Sequence, residues 1–151
     1  MDAGVTVLKQ AGFGQVLVEA GGDLAAAGQK STGTPWRIGV QSPREEQAGL
    51  QNKFNLQDQA AATSGDYMQP FSADLRQHYI LDPRPGYSAP EVASATVIAP
   101  SAMLADGLAT SVMVLGPKAA LQMIHGLPGC EAYLVAKDLQ TIKTATFDHR
   151  V

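Results

Sequence analysis

Asp106 and Thr110 stand four residues apart in the stretch from Pro100 to Gly116. On a helix that spacing stacks a carboxylate and a hydroxyl on one face. Hard oxygen donors of this kind suit a divalent cation such as magnesium, which keeps its other positions for water and substrate phosphate. A solvated acid beside an ordinary back-bonding threonine is the plainer reading of the same pair. The stretch is apolar nearly all round, so its helix is expected to be buried on most sides. A carboxylate there needs a cation or a strong donor, because burying a bare charge costs several kcal/mol. Gly107 inside the helix costs about 1 kcal/mol relative to alanine and is expected to mark a close backbone contact.

His78 opens a His-Tyr-Ile-Leu-Asp-Pro run. On an alternating strand His78, Ile80 and Asp82 share one face, and Tyr79 and Leu81 the other. An imidazole titrates close to neutral pH and can accept a hydroxyl proton as a general base; packed at a sheet edge it does neither. His125 falls at a helix C-terminus, where the helix dipole accounts for it, and His149 lies in an exposed tail. Two glycine motifs, Gly21-Gly22-Asp23 and Thr63-Ser64-Gly65-Asp66, read as tight turns or as cradles whose amides receive phosphate or flavin oxygens. Gly12-Phe13-Gly14 precedes a strand instead of following one, so it is no dinucleotide fingerprint.

The elements that must position these groups follow from periodicity and turn chemistry. Asp2–Gln10 reads as a short helix, Gln15–Glu19 as a strand, and Leu24–Ala27 as its return after the glycine turn. Trp36–Val40 alternates as a half-buried strand does; Phe54–Leu56 and Gln59–Thr63 are weaker strands around a turn. Tyr67–Asp82 is expected to form a hairpin with Gln77–Leu81 as its second arm, and Ala95–Ala99 another strand. Ser101 caps a helix running to Leu115 with Leu104, Leu108, Val112 and Leu115 as its core stripe. Gly116-Pro117 ends it, and Pro117 starts the next helix, to about His125. Glu131–Lys137 and Thr141–Phe147 close the chain as a hairpin. The order predicts an α+β fold with a mixed, largely antiparallel sheet and packed helices, in a single domain over residues 1–151.

Composition narrows the function classes. Of the 151 residues 45% are hydrophobic and 17% charged, which are globular values. A net charge of −3 with scattered Lys and Arg lacks the basic stripe of a nucleic-acid binder. Cys130 is the single cysteine, which excludes an internal disulfide and multi-cysteine metal sites; it reads as a buried small residue opening a strand. No apolar run is expected to reach the length of a membrane span. No basic-then-apolar signal pattern stands at Met1, but the chain reads as beginning in mid-domain, where a targeting segment would have been lost with whatever preceded it.

Five segments, taken in order, resemble the ApbE family of FAD:protein FMN transferases. They are Val18–Leu24 (Val-Glu-Ala-Gly-Gly-Asp-Leu), Pro35–Val40 with Pro43 after it, Ala62–Tyr67, His78–Gly86, and the long run Ala95–Gly116. The resemblance implies a magnesium-dependent transfer of FMN from FAD to a Ser or Thr hydroxyl of a target flavoprotein, with release of AMP. Asp106 and Thr110 match its magnesium-binding positions, and His78 the histidine that assists the attacking hydroxyl. Gly21, Gly22, Asp23, Ser64 and Gly65 match motifs lining the flavin site, beside His78.

Three departures qualify the match. Pro85 stands where the family usually has threonine after Asp-Pro-Arg, and Glu19 replaces the common asparagine before the glycine turn. Family members are about twice as long, and a Gly-Ile-Ala-Lys-Gly segment expected just before Asp2 is absent, so the chain resembles the C-terminal portion of a transferase. Two alternatives share these residues: metal-dependent hydrolysis of FAD to FMN and AMP, and a non-catalytic module that binds flavin. An incomplete pocket exposes apolar surface and favours self-association. The family usually works in the bacterial periplasm or at the inner membrane.

Overall fold

Alanine is the residue that shapes the sheet. In the computed structural model, which describes residues 1–44 and 49–150 with only the backbone of His149 and Arg150, six strands lie in the order β1-β2-β5-β8-β9-β10. They are β1 (Val16–Ala20), β2 (Asp23–Ala27), β5 (Ala60–Gly65), β8 (Val92–Ala99), β9 (Glu131–Ala136) and β10 (Thr141–Lys143). Every pairing among them is antiparallel, in keeping with the largely antiparallel sheet expected. The exposure expected of His149 lies outside the described residues.

Side chains alternate across a strand, and here both faces are covered. Helix α2 (Ala102–His125) lies on one face, over Ala62, Val97, Ala99, Ala132 and Leu134. The hairpin of β3 (Trp36–Gln41) and β4 (Leu50–Leu56) covers the other, with Val40, Phe54 and Leu56 against Ala26, Ala61, Ile98 and Val135. All eight residues of β8 are consequently buried. The two strands expected around a single turn at residues 57–58 therefore exist as β4 and β5, but in different layers. Phe147 leaves the closing hairpin for a 3₁₀ turn, where its buried ring packs at 5.8 Å from Phe54 and 5.4 Å from Tyr133.

Helix α2 begins as expected, with the Ser101 hydroxyl accepting from the Leu104 amide at 3.3 Å. A second cap comes from far away in sequence. The Asp2 carboxylate, at the start of α1 (Asp2–Gln10), accepts from the Ala102 and Met103 amides at 2.8 and 3.0 Å. A negative group at a helix N-terminus meets both its unpaired amides and its dipole.

The face α2 buries differs from the leucine stripe. Leu108 and Val112 are buried, but Leu104 and Leu115 are each 38% exposed. Ala102, Ala105, Ala109, Met113, Ala120 and Ile124 complete the buried side instead. Small side chains let a helix settle onto an alanine-rich sheet, and the bulkier leucines are left at its margins. By length and hydropathy α2 is apolar enough to cross a membrane, contrary to the reading of the sequence. It is nonetheless a core helix here, packed on the sheet and broken at Gly116-Pro117 where a break was expected.

The hairpin expected over Tyr67–Asp82 does not form. Pro70 and His78 meet in one isolated bridge, and the two-residue strands β6 (Leu81–Asp82) and β7 (Tyr87–Ser88) pair with each other instead. Pro70 has no amide with which to extend a ladder. Ser72 and Asp74 also bond locally, Ser72 to the Asp74 carboxylate at 2.6 Å and to the Gln77 amide at 3.0 Å, in competition with strand pairing.

Gly116 adopts φ 75° and ψ 168°, and a Cβ there would lie 3.2–3.3 Å from the Glu91 carboxylate. That backbone region is open essentially to glycine alone. Gly116→Ala is expected to destabilise the chain by about 1–3 kcal/mol, read as a lower urea midpoint at unchanged slope; an unchanged midpoint would show that the break tolerates a side chain.

Candidate functional site

Asp106 and Thr110 do share a face of α2, but that face is exposed. The expectation that burial obliges Asp106 to hold a cation is thereby overturned, as is a close contact at Gly107, where an added Cβ would meet nothing within 4 Å. The reason is the alanine-rich burial of α2, which turns its polar side outward. What the structure supplies instead is convergence. The Thr110 hydroxyl lies 3.2 Å from the hydroxyl of Ser64, a buried residue of β5. Asp23, at the start of β2, is close enough for its charge to interact with Asp106.

The Asp23 carboxyl holds its proton more tightly than usual, first through burial and then through the Asp106 carboxylate. Tyr79 falls in the same field; burial, then Asp106, then Asp23 raise its phenol. Asp23, Ser64, Asp106 and Thr110 thus bring oxygen donors to one end of the seam between α2 and the sheet. Hard donors of this kind suit a magnesium-type cation, which is commonly held by one or two carboxylates together with phosphate and water. Among the described residues no three His, Cys, Asp or Glu side chains gather into a metal site, so a cation here would have at most two such protein ligands and would take its other oxygens from hydroxyl, phosphate and water.

Gly21 and Gly22 make the turn between β1 and β2 with φ of 65° and 94°. The Gly22 amide is already engaged, donating to the Glu19 carboxylate at 3.1 Å. The turn is therefore not a bare amide cradle, and the residue responsible is the one that replaces asparagine. Beside it lies a cleft of about 380 Å³ lined by Gly21, Gly22, Thr63, Tyr67 and Met68 among others. Gly65 is needed for space: a Cβ there would stand 2.3 Å from the ring of Tyr67. Successive residues of β5 point to opposite faces, so Thr63 lines this cleft while Ser64 meets α2.

His78 alternates with its neighbours as expected, itself and Ile80 buried, Tyr79 and Leu81 exposed. Its backbone is clamped by Ser88, whose hydroxyl accepts from the His78 amide at 2.8 Å and donates to the His78 carbonyl at 2.7 Å. Nε2 lies 3.3 Å from the Ala89 carbonyl, and Nδ1 is buried without a partner among the described residues. A carbonyl only accepts, so in the neutral ring Nε2 carries the proton and Nδ1 keeps a bare lone pair. Burial lowers the proton affinity of the ring, helped by Lys137 and opposed by the Ala89 carbonyl and Asp66. The histidine is thus a neutral, buried group that does not share the exposed face of Asp106 and Thr110.

Reading the sequence missed one constellation altogether. The Asp66 carboxylate is fully buried and takes both Arg44 terminal nitrogens at 2.8 and 2.9 Å and Lys137 Nζ at 2.5 Å. Only Asp66 lay in a motif; its cations are 22 and 71 residues away, and nothing in their local sequence marks them.

The depressed affinity of His78 makes stability pH-dependent. Below its ordinary value of 6.5 the unfolded chain takes up a proton that the native ring resists, so this contribution is present above that pH and is lost on acidification. Urea midpoints are expected to fall more between about pH 7.5 and about pH 5.5 for the native chain than for His78→Gln. Equal falls would assign the pH dependence to other groups.

Comparison with known proteins bears on the whole assembly. The model of the ApbE family matches residues 1–134. The FAD:protein FMN transferase of Klebsiella pneumoniae is 34% identical over 140 residues, which span 91% of this chain and 40% of that protein. The flavinyl transferase ApbE of Pseudomonas stutzeri, solved in its apo form, superposes with a TM-score of 0.79 at 37% identity, covering 99% of this chain and 49% of that one. The flavin transferase ApbE of Vibrio cholerae does so at 0.82 and 30% identity, covering 99% and 48%. The chain spans less than half the length of these relatives. With the family model matching most of its residues and its fold superposing on these structures, the chain belongs to the ApbE family.

Proposed function

We propose that this chain carries a flavin-transfer site that moves FMN from FAD onto a serine or threonine hydroxyl of a target flavoprotein and releases AMP. The observation that carries this reading is the 3.2 Å contact between Ser64 and Thr110. It draws the Thr-Ser-Gly-Asp segment, the Asp106–Thr110 pair and Asp23 to one end of the sheet, next to the cleft at Gly21-Gly22. Thr63, Ser64 and Gly65 of that segment end strand β5 and pair with β8 instead of forming the expected turn. The names of the relatives point the same way.

In this reading Gly21, Gly22, Asp23, Ser64 and Gly65 line the flavin, and Asp106 and Thr110 hold magnesium. The donor set fits that ion: a carboxylate and a hydroxyl on one exposed helix face, with a second carboxylate nearby. When bound, it relieves the charge that develops on the pyrophosphate. The acceptor hydroxyl oxygen bonds to the phosphorus of the FMN portion, the bond from that phosphorus to the bridging oxygen breaks, and AMP leaves with the bridging oxygen. His78 is the base that would take the hydroxyl proton at Nδ1, a neutral ring with a bare nitrogen. That nitrogen is buried and off the exposed face of Asp106 and Thr110, so the step requires the arc around His78 to open to the acceptor. Tyr67 lines the cleft, with its ring packed over Gly65.

The test uses the full chain with FAD, magnesium and an acceptor flavoprotein, following AMP by chromatography and flavin by fluorescence of the acceptor band. Asp106→Ala is expected to lower AMP release by roughly 10²-fold or more; equal release from both proteins would overturn the role of Asp106. Hydrolysis of FAD is the second reading, favoured by the openness of the Asp106–Thr110 face to water. Free FMN and AMP formed equally with and without acceptor would replace transfer by hydrolysis.

A further inference from the structure

The Arg44–Asp66–Lys137 cluster makes no contact with the Asp23, Asp106 and Thr110 side chains, yet it is joined to both parts of the site. Asp66 directly follows Ser64 and Gly65, and its amide donates to the Ala93 carbonyl of β8 at 2.9 Å. Its burial is complete, while the Arg44 and Lys137 side chains are 20% and 21% exposed. A buried carboxylate that takes three donor nitrogens from two cations is held in one place: either cation alone balances its charge, and the two together fix its orientation.

Lys137 has a second partner. Its Nζ also donates to the Leu75 carbonyl at 2.7 Å, and Leu75 sits at φ 58°, a left-handed conformation that a branched residue seldom adopts. Leu75 lies in the segment between Asp66 and His78, which has little regular pairing: the bridge at Pro70 and His78, and the Phe71 and Tyr79 amides donating to the Gln77 and Gln69 carbonyls at 2.6 and 3.2 Å. Lys137 thus links the start of that segment, through Asp66, to its middle, through Leu75. It does so from the end of β9, an element with its own place in the sheet.

We propose that Asp66 and Lys137 are positioning residues for the transfer site, one ion pair that sets both the Ser64 hydroxyl against α2 and the arc of residues 67–79 that presents His78. The proposal rests on the flavin-transfer reading for its catalytic meaning and on the hydrogen bonds alone for its mechanical content. Neither residue lines the cleft at Gly21-Gly22; both are placed to act through Ser64 and His78.

The experiment compares the full native chain with Lys137→Met and Lys137→Arg, and with Lys137→Gln should the methionine variant not fold. Amide hydrogen exchange at Phe71 and Tyr79 is expected to quicken by roughly tenfold or more in Lys137→Met, with the α2 amides unchanged, and to return toward native in Lys137→Arg. In the transfer assay the same substitution should lower kcat with KM for FAD retained, and arginine should restore it. Unchanged exchange at Phe71 and Tyr79, or equal quickening throughout α2, would overturn the proposal. So would loosening of the arc with kcat intact. A native chain that released no AMP would count against the transfer reading, leaving the exchange comparison to decide the clamp.

Discussion

How near α2 comes to the sheet governs what the rest of the molecule can do. Ala60, Ala62, Ala95 and Ala99 floor that interface and Ala102, Ala105, Ala109 and Ala120 face it, so few side chains hold the layers apart. Thr110 and Ser64, two short side chains from different layers, can touch only under that condition. Packing of this density resists even small changes in volume. A larger residue at Ala62 or Ala109 would therefore be felt at the polar seam as well as in the core.

Two electrostatic regimes coexist at that seam. Asp23, Asp106 and Thr110 form an open group whose carboxylates oppose one another and gain from any cation that joins them. Asp66 is the reverse, sealed from water and neutralised by its own cations. The first is available for binding because it is unsatisfied, and the second is rigid because it is satisfied. Ser64 and Gly65 connect the two within a few residues of chain.

Much of this was legible in the sequence wherever a local rule decides structure. The glycine turn, the Ser101 cap, the break at Gly116-Pro117 and the alternation around His78 each depend on residues close together in the chain, and each is present. Two of the failures share a cause. Hydrophobicity named Leu104 and Leu115 as core, but an alanine floor selects the small side of a helix, which only the partner surface can reveal. Asp106 was placed in the interior for the same reason. The Tyr67–Asp82 hairpin lost to side-chain bonds at Ser72 and to the missing amide of Pro70, features visible locally but outweighed by an apparent alternation. The ion cluster at Asp66 could not be found by spacing, because tertiary structure alone brings Arg44 and Lys137 together.

The double hydrogen bond from the Asp2 carboxylate to the first turn of α2 ties the second residue of the chain to its longest helix. The position of Asp2 is thus mechanically and electrically coupled to the segment bearing Asp106. Loss of the Asp2 carboxylate would bare two backbone donors and the positive pole of that helix at once.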